Sequence, residues 1–138
     1  MAVTAKTFEY AAAVDRTGRV SVDKGAFSAI PADWKPEHFV LAGLISCTLA
    51  SLRYHARQAG IDDLVASGTA SGLVTKREQD ERYAFVEIEC SFEVELELPA
   101  RELADLLESA ERDCFVGASL TASPRYRWAV NGEDVSPG

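Results

Sequence analysis

The sequence predicts an α+β fold in which antiparallel sheets surround one long, buried central helix. Between Phe39 and Leu52 the chain carries no charged side chain, which is typical of a helix that is apolar on every face. From Val86 to Leu98 apolar and polar residues alternate without a break, which is typical of a half-buried antiparallel strand. Together with the shorter segments below, these two patterns predict the order β-β-(β)-α-β-β-α-β.

The central helix is expected to begin at Pro36 and to end near Gly60. Pro36 and Glu37 are suited to a first helical turn, and Gly60 is suited to a C-terminal cap. The charge-free run is shorter than the roughly 20 residues that a membrane-spanning helix needs. We therefore expect a core helix and no association with a membrane.

Three small residues, Ala42, Ser46 and Ala50, recur at every fourth position of this helix. Such a stripe lets another backbone approach closely. Two partners fit it equally well. One is the same helix of a second subunit, which predicts a two-fold homodimer, and the other is the sheet of the same chain.

Before the helix, residues 6–14 and 19–23 are predicted to be the strands of a hairpin around the turn Asp15–Gly18. The pattern also allows a short strand over residues 26–30. In the segment just before the helix, AIPADWK, Pro31 and the residues from Asp33 to Pro36 are expected to break regular structure.

After the helix, a strand rich in Gly, Ser and Ala over residues 64–76 is expected to lie closely against it. Residues 77–82 read as a hairpin loop. An amphipathic helix is predicted over residues 99–112 and a last strand over residues 124–130. The residues from 131 onward are expected to be loose.

Composition limits the class of protein. With 138 residues and 47% hydrophobic content, the chain is expected to form a single domain over residues 1–138. A formal charge of -8 leaves no basic stripe, which argues against nucleic acid and anionic membranes as partners. The N-terminal residues have no apolar signal core, so we expect a cytoplasmic protein with reduced thiols. His38 and His55 have no ligand spacing with any cysteine, so we expect no metal.

Cys47 and Cys114 are the candidate reactive thiols, although a buried structural role also fits each of them. Cys90 falls on the apolar face of its strand and is expected to be structural. A thiol inside an apolar helix has a raised pKa and needs a nearby cation to become a nucleophile. Arg16 and Arg19 are the candidates, since an arginine ~4 Å away at an effective dielectric constant of about 20 contributes ~4 kcal/mol.

One string of residues resembles a known family. Pro36 and Glu37 are followed by nine residues and then Cys47, written PEHFVLAGLISCT. A basic helix end, a polar hairpin, a second helix and Cys114 come later. In this order of elements, nearly the whole chain resembles the OsmC/Ohr family.

The resemblance implies an OsmC-like fold, an intertwined homodimer and a thiol-dependent peroxidase that needs no cofactor. Its substrates would be organic hydroperoxides, with inorganic ones left open, and its reductant a dithiol or a lipoylated protein. Cys47 would attack the peroxide and Cys114 would resolve the sulfenic acid as a disulfide. Arg16 of the string DRTGR, or Arg19 in its place, and Glu37 would position the thiolate.

Two features depart from the family pattern. Cys114 is followed by Phe115 where the family has proline, and AIPADWK replaces a glycine-rich loop, which favours the broader OsmC-like group. Two other functions remain open. A hotdog-type thioesterase also wraps a sheet around one helix, although the second helix argues against it. A dimeric binding or redox-sensing protein on the same scaffold is favoured if Cys47 and Cys114 lie apart.

Overall fold

The computed structural model describes residues 5–135 of the chain. Its internal contacts divide the chain between Lys35 and Pro36 into two compact units. Within the described residues the first unit holds two short strands, and the second holds helices and a sheet. The predicted α+β class is therefore confirmed. The single domain over residues 1–138 remains a prediction.

The first unit is built on an antiparallel hairpin of β1 (Ala12–Val14) and β2 (Val20–Val22). The Asp15 carboxylate accepts a hydrogen bond from the backbone N–H of Arg19 at 3.0 Å, which closes the turn. Gly18 has a φ of 85°, a conformation that glycine adopts without steric strain. The predicted hairpin is confirmed.

Both strands of this hairpin are shorter than the predicted residues 6–14 and 19–23. A strand extends only as far as its backbone groups find partners, and β1 and β2 pair over three residues each. The segment 26–30 contributes an isolated bridge between Val20 and Ser28 rather than a strand.

The central helix, α1, covers Pro36–Gln58. Gly60 beyond its end has a φ of 86°. The N–H of Gly60 donates to the carbonyl of Arg57 at 2.9 Å, and the N–H of Ile61 donates to the carbonyl of Ala56 at 2.8 Å. These two bonds form a Schellman motif, which satisfies the last carbonyls of the helix. The predicted glycine cap is confirmed.

The second unit also contains a four-stranded sheet in the order β3-β4-β5-β6. Its strands are β3 (Val65–Lys76), β4 (Tyr83–Glu95), β5 (Arg125–Val130) and β6 (Glu133–Asp134). The pairs β3/β4 and β5/β6 are antiparallel, but β4 and β5 are parallel. The prediction of purely antiparallel sheets is therefore wrong at this pair.

Two helices between β4 and β5 explain the parallel pairing. They are α2 (Ala100–Arg112), which was predicted, and a short α3 (Phe115–Ser119), which was not. A parallel pair needs a crossover of a dozen or more residues, because the chain must return to the end of the sheet from which it started. Together α2 and α3 form that crossover.

The prediction of a loose tail from residue 131 onward is wrong for residues 131–135. Asn131 and Gly132 have φ values of 52° and 85°, as a two-residue hairpin turn requires. The Asn131 side chain also bonds the backbone N–H and carbonyl of Leu96, at 3.2 and 2.7 Å. Residues 136–138 lie outside the described residues.

The core lies between the sheet and the helices. Along β4, Ile88, Cys90, Phe92 and Val94 are buried while alternate residues face outward, which confirms the predicted alternation. Gly68 on β3 permits the close approach of helix and sheet. A β-carbon there would lie 2.5 Å from the ring of Phe92 and 3.2 Å from Ile45 on α1.

In the single chain α1 packs on one side only. Its buried residues recur at every fourth position, as Leu44, Thr48, Leu52 and Ala56. Ser46 and Ala50 of the small-residue stripe are exposed. The sequence predicted burial on every side, but β3, α2 and α3 cover one side of the helix. By length and composition α1 could cross a membrane, a test that core helices of soluble proteins also pass.

Candidate active site

Cys47 lies near the middle of α1, beside the buried stripe rather than within it. The neighbouring residues Leu44 and Thr48 are fully buried, whereas Cys47 is only partly buried. The helix backbone holds the position of this thiol, and its partial exposure leaves it accessible to a small molecule. Partial exposure is one property that a reacting thiol requires, and electropositive surroundings are another.

Cys114 lies between α2 and α3 and is fully buried. It is the N-cap residue of α3, and its sulfur accepts a hydrogen bond from the N–H of Gly117 at 3.4 Å. The sequence predicted a cysteine just past a helix end, and this is confirmed. The helix α3 that follows was missed because five residues are too few to show a helical period.

The start of α3 brings two thiols together. The backbone N–H of Val116 donates to the sulfur of Cys47 at 3.5 Å. The Cys114 side chain also lies close enough to Cys47 to raise the pKa of the Cys47 thiol. Both cysteines are free, so the pair is in its reduced, dithiol form.

Burial raises the pKa of the Cys47 thiol, and the hydrogen bond and charge of Cys114 raise it further. The backbone N–H groups of Val116 and Phe115 lower this pKa but do not outweigh the burial. The Phe115 donor is present because the residue is not the proline of the family pattern, which has no N–H. None of these described groups is a cation, and a raised pKa leaves a smaller fraction of a thiol ionised.

Thr48 is a polar residue on the buried stripe of α1, and the sequence analysis did not identify it. Its hydroxyl lies 2.9 Å from the carbonyl of Leu44 and 3.3 Å from the sulfur of Cys114. Tyr126 on β5 adjoins both Thr48 and Cys114, and burial raises the pKa of its phenol. A threonine between Leu44 and Leu52 at helical spacing was the signal that could have identified it.

The other predicted site residues lie away from this pair or in the first unit. Glu37 is exposed in the first turn of α1, ten residues before Cys47 and therefore ~15 Å from it along the axis. Arg16 and Arg19 belong to the first unit, and both are exposed within it. The second unit thus assembles the two cysteines, while the roles of Glu37 and the arginines remain predictions.

The remaining candidates have other surroundings. Burial raises the pKa of Cys90 to about 11, and this residue packs in the core. His55 pairs with Asp113 at 2.7 Å. Among residues 5–135 no three His, Cys, Asp or Glu side chains cluster in a way that could hold a metal ion.

Solved structures share this fold. An OsmC-like protein of unknown function from Vibrio cholerae has a TM-score of 0.72 at 14% identity, over 89% of this chain and 100% of that one. The organic hydroperoxide resistance protein OhrB of Bacillus subtilis has a TM-score of 0.60 at 15% identity, over 91% and 98%. An organic hydroperoxide resistance protein from Elizabethkingia anophelis has a TM-score of 0.61 at 21% identity, over 92% and 96%.

No curated protein matches the chain in sequence. The family model described as OsmC-like protein, however, matches residues 31–128, more than two thirds of the chain. The matched segment includes both Cys47 and Cys114. The model match and the shared fold confirm the resemblance predicted from the PE-to-cysteine spacing: the chain belongs to the OsmC-like family.

Proposed function

We propose that this protein is a thiol-dependent peroxidase that reduces organic hydroperoxides through a disulfide between Cys47 and Cys114. The observation that carries the proposal is the meeting of the two free thiols at the start of α3. Two of the structurally similar proteins are named organic hydroperoxide resistance proteins, which supports the same substrate class.

In the first step, the Cys47 thiolate attacks one oxygen of the hydroperoxide. A sulfur–oxygen bond forms, the oxygen–oxygen bond breaks, and the departing alkoxide takes a proton to become an alcohol. The sulfur is oxidised to a sulfenic acid while the hydroperoxide is reduced. Partial exposure of Cys47 on α1 gives a small hydroperoxide access to this sulfur.

In the second step, the sulfur of Cys114 attacks the sulfur of the Cys47 sulfenic acid. A disulfide forms, the sulfur–oxygen bond breaks, and the hydroxide takes the Cys114 proton and leaves as water. A dithiol or a lipoylated protein then returns both thiols to the reduced form by thiol–disulfide exchange. This cycle needs no cofactor. It needs a reducing compartment, which supports a cytoplasmic location.

The cation that Cys47 lacks within the second unit is proposed to be an arginine of the first hairpin, Arg16 or Arg19. Glu37 is proposed to hold that arginine, since a carboxylate–guanidinium pair is charge-assisted and can be bidentate. An intertwined homodimer, paired through the exposed stripe of α1, would bring these groups to the cysteines. Each active site would then contain residues of both subunits.

The proximity of Cys47 and Cys114 supports the peroxidase over the alternatives. A binding or redox-sensing protein without catalysis would be favoured by cysteines held apart, and these two are neighbours instead. The second helix, which argued against a hotdog-type thioesterase, is present as α2. Glu37, the predicted site carboxylate, is exposed ~15 Å along α1 from Cys47.

The test is stopped-flow consumption of cumene hydroperoxide by the reduced protein, with thiols counted before and after. One equivalent should consume two thiols and give a Cys47–Cys114 disulfide by mass spectrometry, with Cys90 still free. In Cys114→Ser the first turnover should survive, and excess hydroperoxide should drive Cys47 to sulfinic acid. In Cys47→Ser consumption should be lost.

The matched control is Cys90→Ala, which removes the third thiol and should keep multiple turnover with a dithiol. If Cys47→Ser consumes hydroperoxide as fast as the unmodified protein, the proposed peroxidase is wrong. If Cys114→Ser sustains multiple turnover unchanged, Cys114 is a core residue and the two-cysteine mechanism does not apply. Hydrolysis of an acyl thioester by the unmodified protein would instead favour the thioesterase.

A further inference from the structure

We propose that Thr48 donates a hydrogen bond to the ionised sulfur of Cys114 and, together with Tyr126, sets how fast that sulfur attacks Cys47. The inference rests on the proposed function, because it assigns the control of the resolving step. It makes Thr48 a positioning residue that acts on Cys114 and not on the peroxide.

The geometry places several donors around one sulfur. The Thr48 hydroxyl lies 3.3 Å from the sulfur of Cys114, and the backbone N–H of Gly117 lies 3.4 Å from it. The Tyr126 side chain adjoins both Thr48 and Cys114, and its hydroxyl lies 2.9 Å from where a β-carbon on Gly117 would be. Thr48 and Cys114 are fully buried, so water does not compete for these bonds.

Thr48 can respond differently to the thiol and the thiolate form of Cys114, because its hydroxyl carries a single proton. A threonine hydroxyl has one proton, yet two acceptors lie within its reach, the carbonyl of Leu44 at 2.9 Å and the Cys114 sulfur at 3.3 Å. While Cys114 is a thiol, the hydroxyl can satisfy the carbonyl. When Cys114 loses its proton, the hydroxyl can turn to the sulfur, and hydrogen bonds to charged groups are roughly twice as strong as neutral ones.

Other groups that face Cys114 do not provide a positive charge. The titratable groups around it are Cys47 on α1, Cys90 on β4 and Tyr126 on β5. The preceding residue, Asp113, directs its carboxylate to His55 and to Arg112. Among these described groups, stabilisation of the Cys114 thiolate therefore depends on neutral hydrogen-bond donors. The Thr48 hydroxyl is a side-chain donor, so it can be removed by substitution without changing the backbone.

The test isolates the attack by Cys114 from peroxide chemistry. Dithionitrobenzoate reacts first with the partly exposed Cys47, forming a mixed disulfide and releasing one nitrothiobenzoate. The Cys114 thiolate then attacks the Cys47 sulfur, and a second nitrothiobenzoate leaves as the protein disulfide forms. The rate of this second release is measured by absorbance against pH in the full chain, with Cys114→Ser as the control that should lack it.

The variants are Thr48→Val, which keeps the shape of the side chain without the hydroxyl, and Thr48→Ser, which keeps the hydroxyl. In Thr48→Val the second release should be about three- to tenfold slower near neutral pH, because a smaller thiolate fraction is only partly offset by greater nucleophilicity. On the alkaline plateau, where Cys114 is fully ionised, this variant should be as fast as the unmodified protein or faster. Thr48→Ser should keep the original profile within about twofold.

The change of the Thr48→Val effect with pH distinguishes loss of the Thr48 hydrogen bond from loss of side-chain packing. If Thr48→Val is slower by the same factor at every pH, or if Thr48→Ser is as slow as Thr48→Val, the residue acts through packing and the inference is wrong. The inference is also wrong if the unmodified protein shows no second release. Tyr126→Phe, which should slow the second release in the same pH-dependent way, provides an independent variant. Failure of the peroxidase proposal is recognised separately, by the absence of Cys47 oxidation with cumene hydroperoxide.

Discussion

Removing the arginine proposed to serve Cys47 is expected to slow the reaction of Cys47 with hydroperoxide by roughly 30- to 60-fold near neutral pH. Within the second unit, burial raises the pKa of Cys47 and the two α3 N–H groups do not outweigh it. An arginine ~4 Å away contributes ~4 kcal/mol at an effective dielectric constant of about 20, which corresponds to about three pKa units. The thiolate fraction then falls about a thousandfold, and the greater nucleophilicity of the more basic thiolate restores roughly half of this on a logarithmic scale.

The sign of the pH dependence follows from the raised pKa. Reactivity of a thiol is present above its pKa and is lost as the pH falls through it. A variant without the arginine should therefore lose activity at a higher pH than the unmodified protein does, and on its alkaline plateau it should be as fast as the unmodified protein or faster. The measurement is the stopped-flow rate with cumene hydroperoxide against pH for Arg16→Gln and for Arg19→Gln.

The variant whose profile moves identifies the arginine, and a lysine at that position should restore part of the shift because it keeps the charge. The matched control is Arg101→Gln, an exposed arginine in the first turn of α2, which should leave the profile unchanged. If the double variant Arg16→Gln/Arg19→Gln keeps the profile of the unmodified protein, neither arginine serves Cys47 and the reasoning fails.

Three further predictions concern assembly and packing. If Glu37 acts in the site of the other subunit, a mixed dimer of one Cys47→Ser chain and one Glu37→Gln chain contains one intact site. Its peroxidase activity should then exceed that of either parent dimer. Activity no higher than that of the parents would count against a role of Glu37 in the other subunit. Ser46→Leu should weaken the homodimer in light scattering and Ser46→Ala should not; equal stability of the two would exclude pairing through the α1 stripe. Gly68→Ala should destabilise the fold by about 1 to 3 kcal/mol in urea unfolding, because its new β-carbon would lie 2.5 Å from the buried ring of Phe92; unchanged stability would contradict this.

The elements that could be predicted from the sequence are those with long periodic signals. α1 and its glycine cap were recognised because a charge-free run is bounded by strong terminal residues. β4 was recognised because its alternation extends over many residues, and burial of Ile88, Cys90, Phe92 and Val94 follows it. In both cases the local pattern and the tertiary packing require the same structure.

Elements set by tertiary contact could not be predicted in this way. The parallel pairing of β4 and β5 depends on where the α2–α3 crossover delivers the chain, and no local pattern in β5 records its direction. The β5–β6 turn did have a local signal, the pair Asn131-Gly132, which is typical of a two-residue hairpin. The residues from 131 onward were nevertheless predicted to be loose.

The same distinction, between local sequence signals and tertiary contacts, applies to the residues of the candidate site. The chain order of a helix cysteine and a later cysteine indicated which thiols to compare, because the resemblance depends on sequence spacing. Thr48 was not identified, since its importance comes from the position of Cys114, 66 residues away in sequence. A residue that acts through a distant contact differs from a packing residue only by its chemistry, here a hydroxyl among aliphatic side chains.

In the proposed mechanism, the positions of the two cysteine sulfurs and the ionisation of Cys47 depend on different parts of the protein. The positions of the two sulfurs depend on α1, the end of α2 and the start of α3, all within the second unit. The acidity of Cys47 does not come from that unit, because burial outweighs the donors that it provides. Pairing of the thiols can therefore be complete while the peroxidatic thiol is still protonated. Under the two proposals, a second source of charge, Arg16 or Arg19 together with Glu37, would control whether Cys47 reacts, while Thr48 and Tyr126 would control whether Cys114 follows.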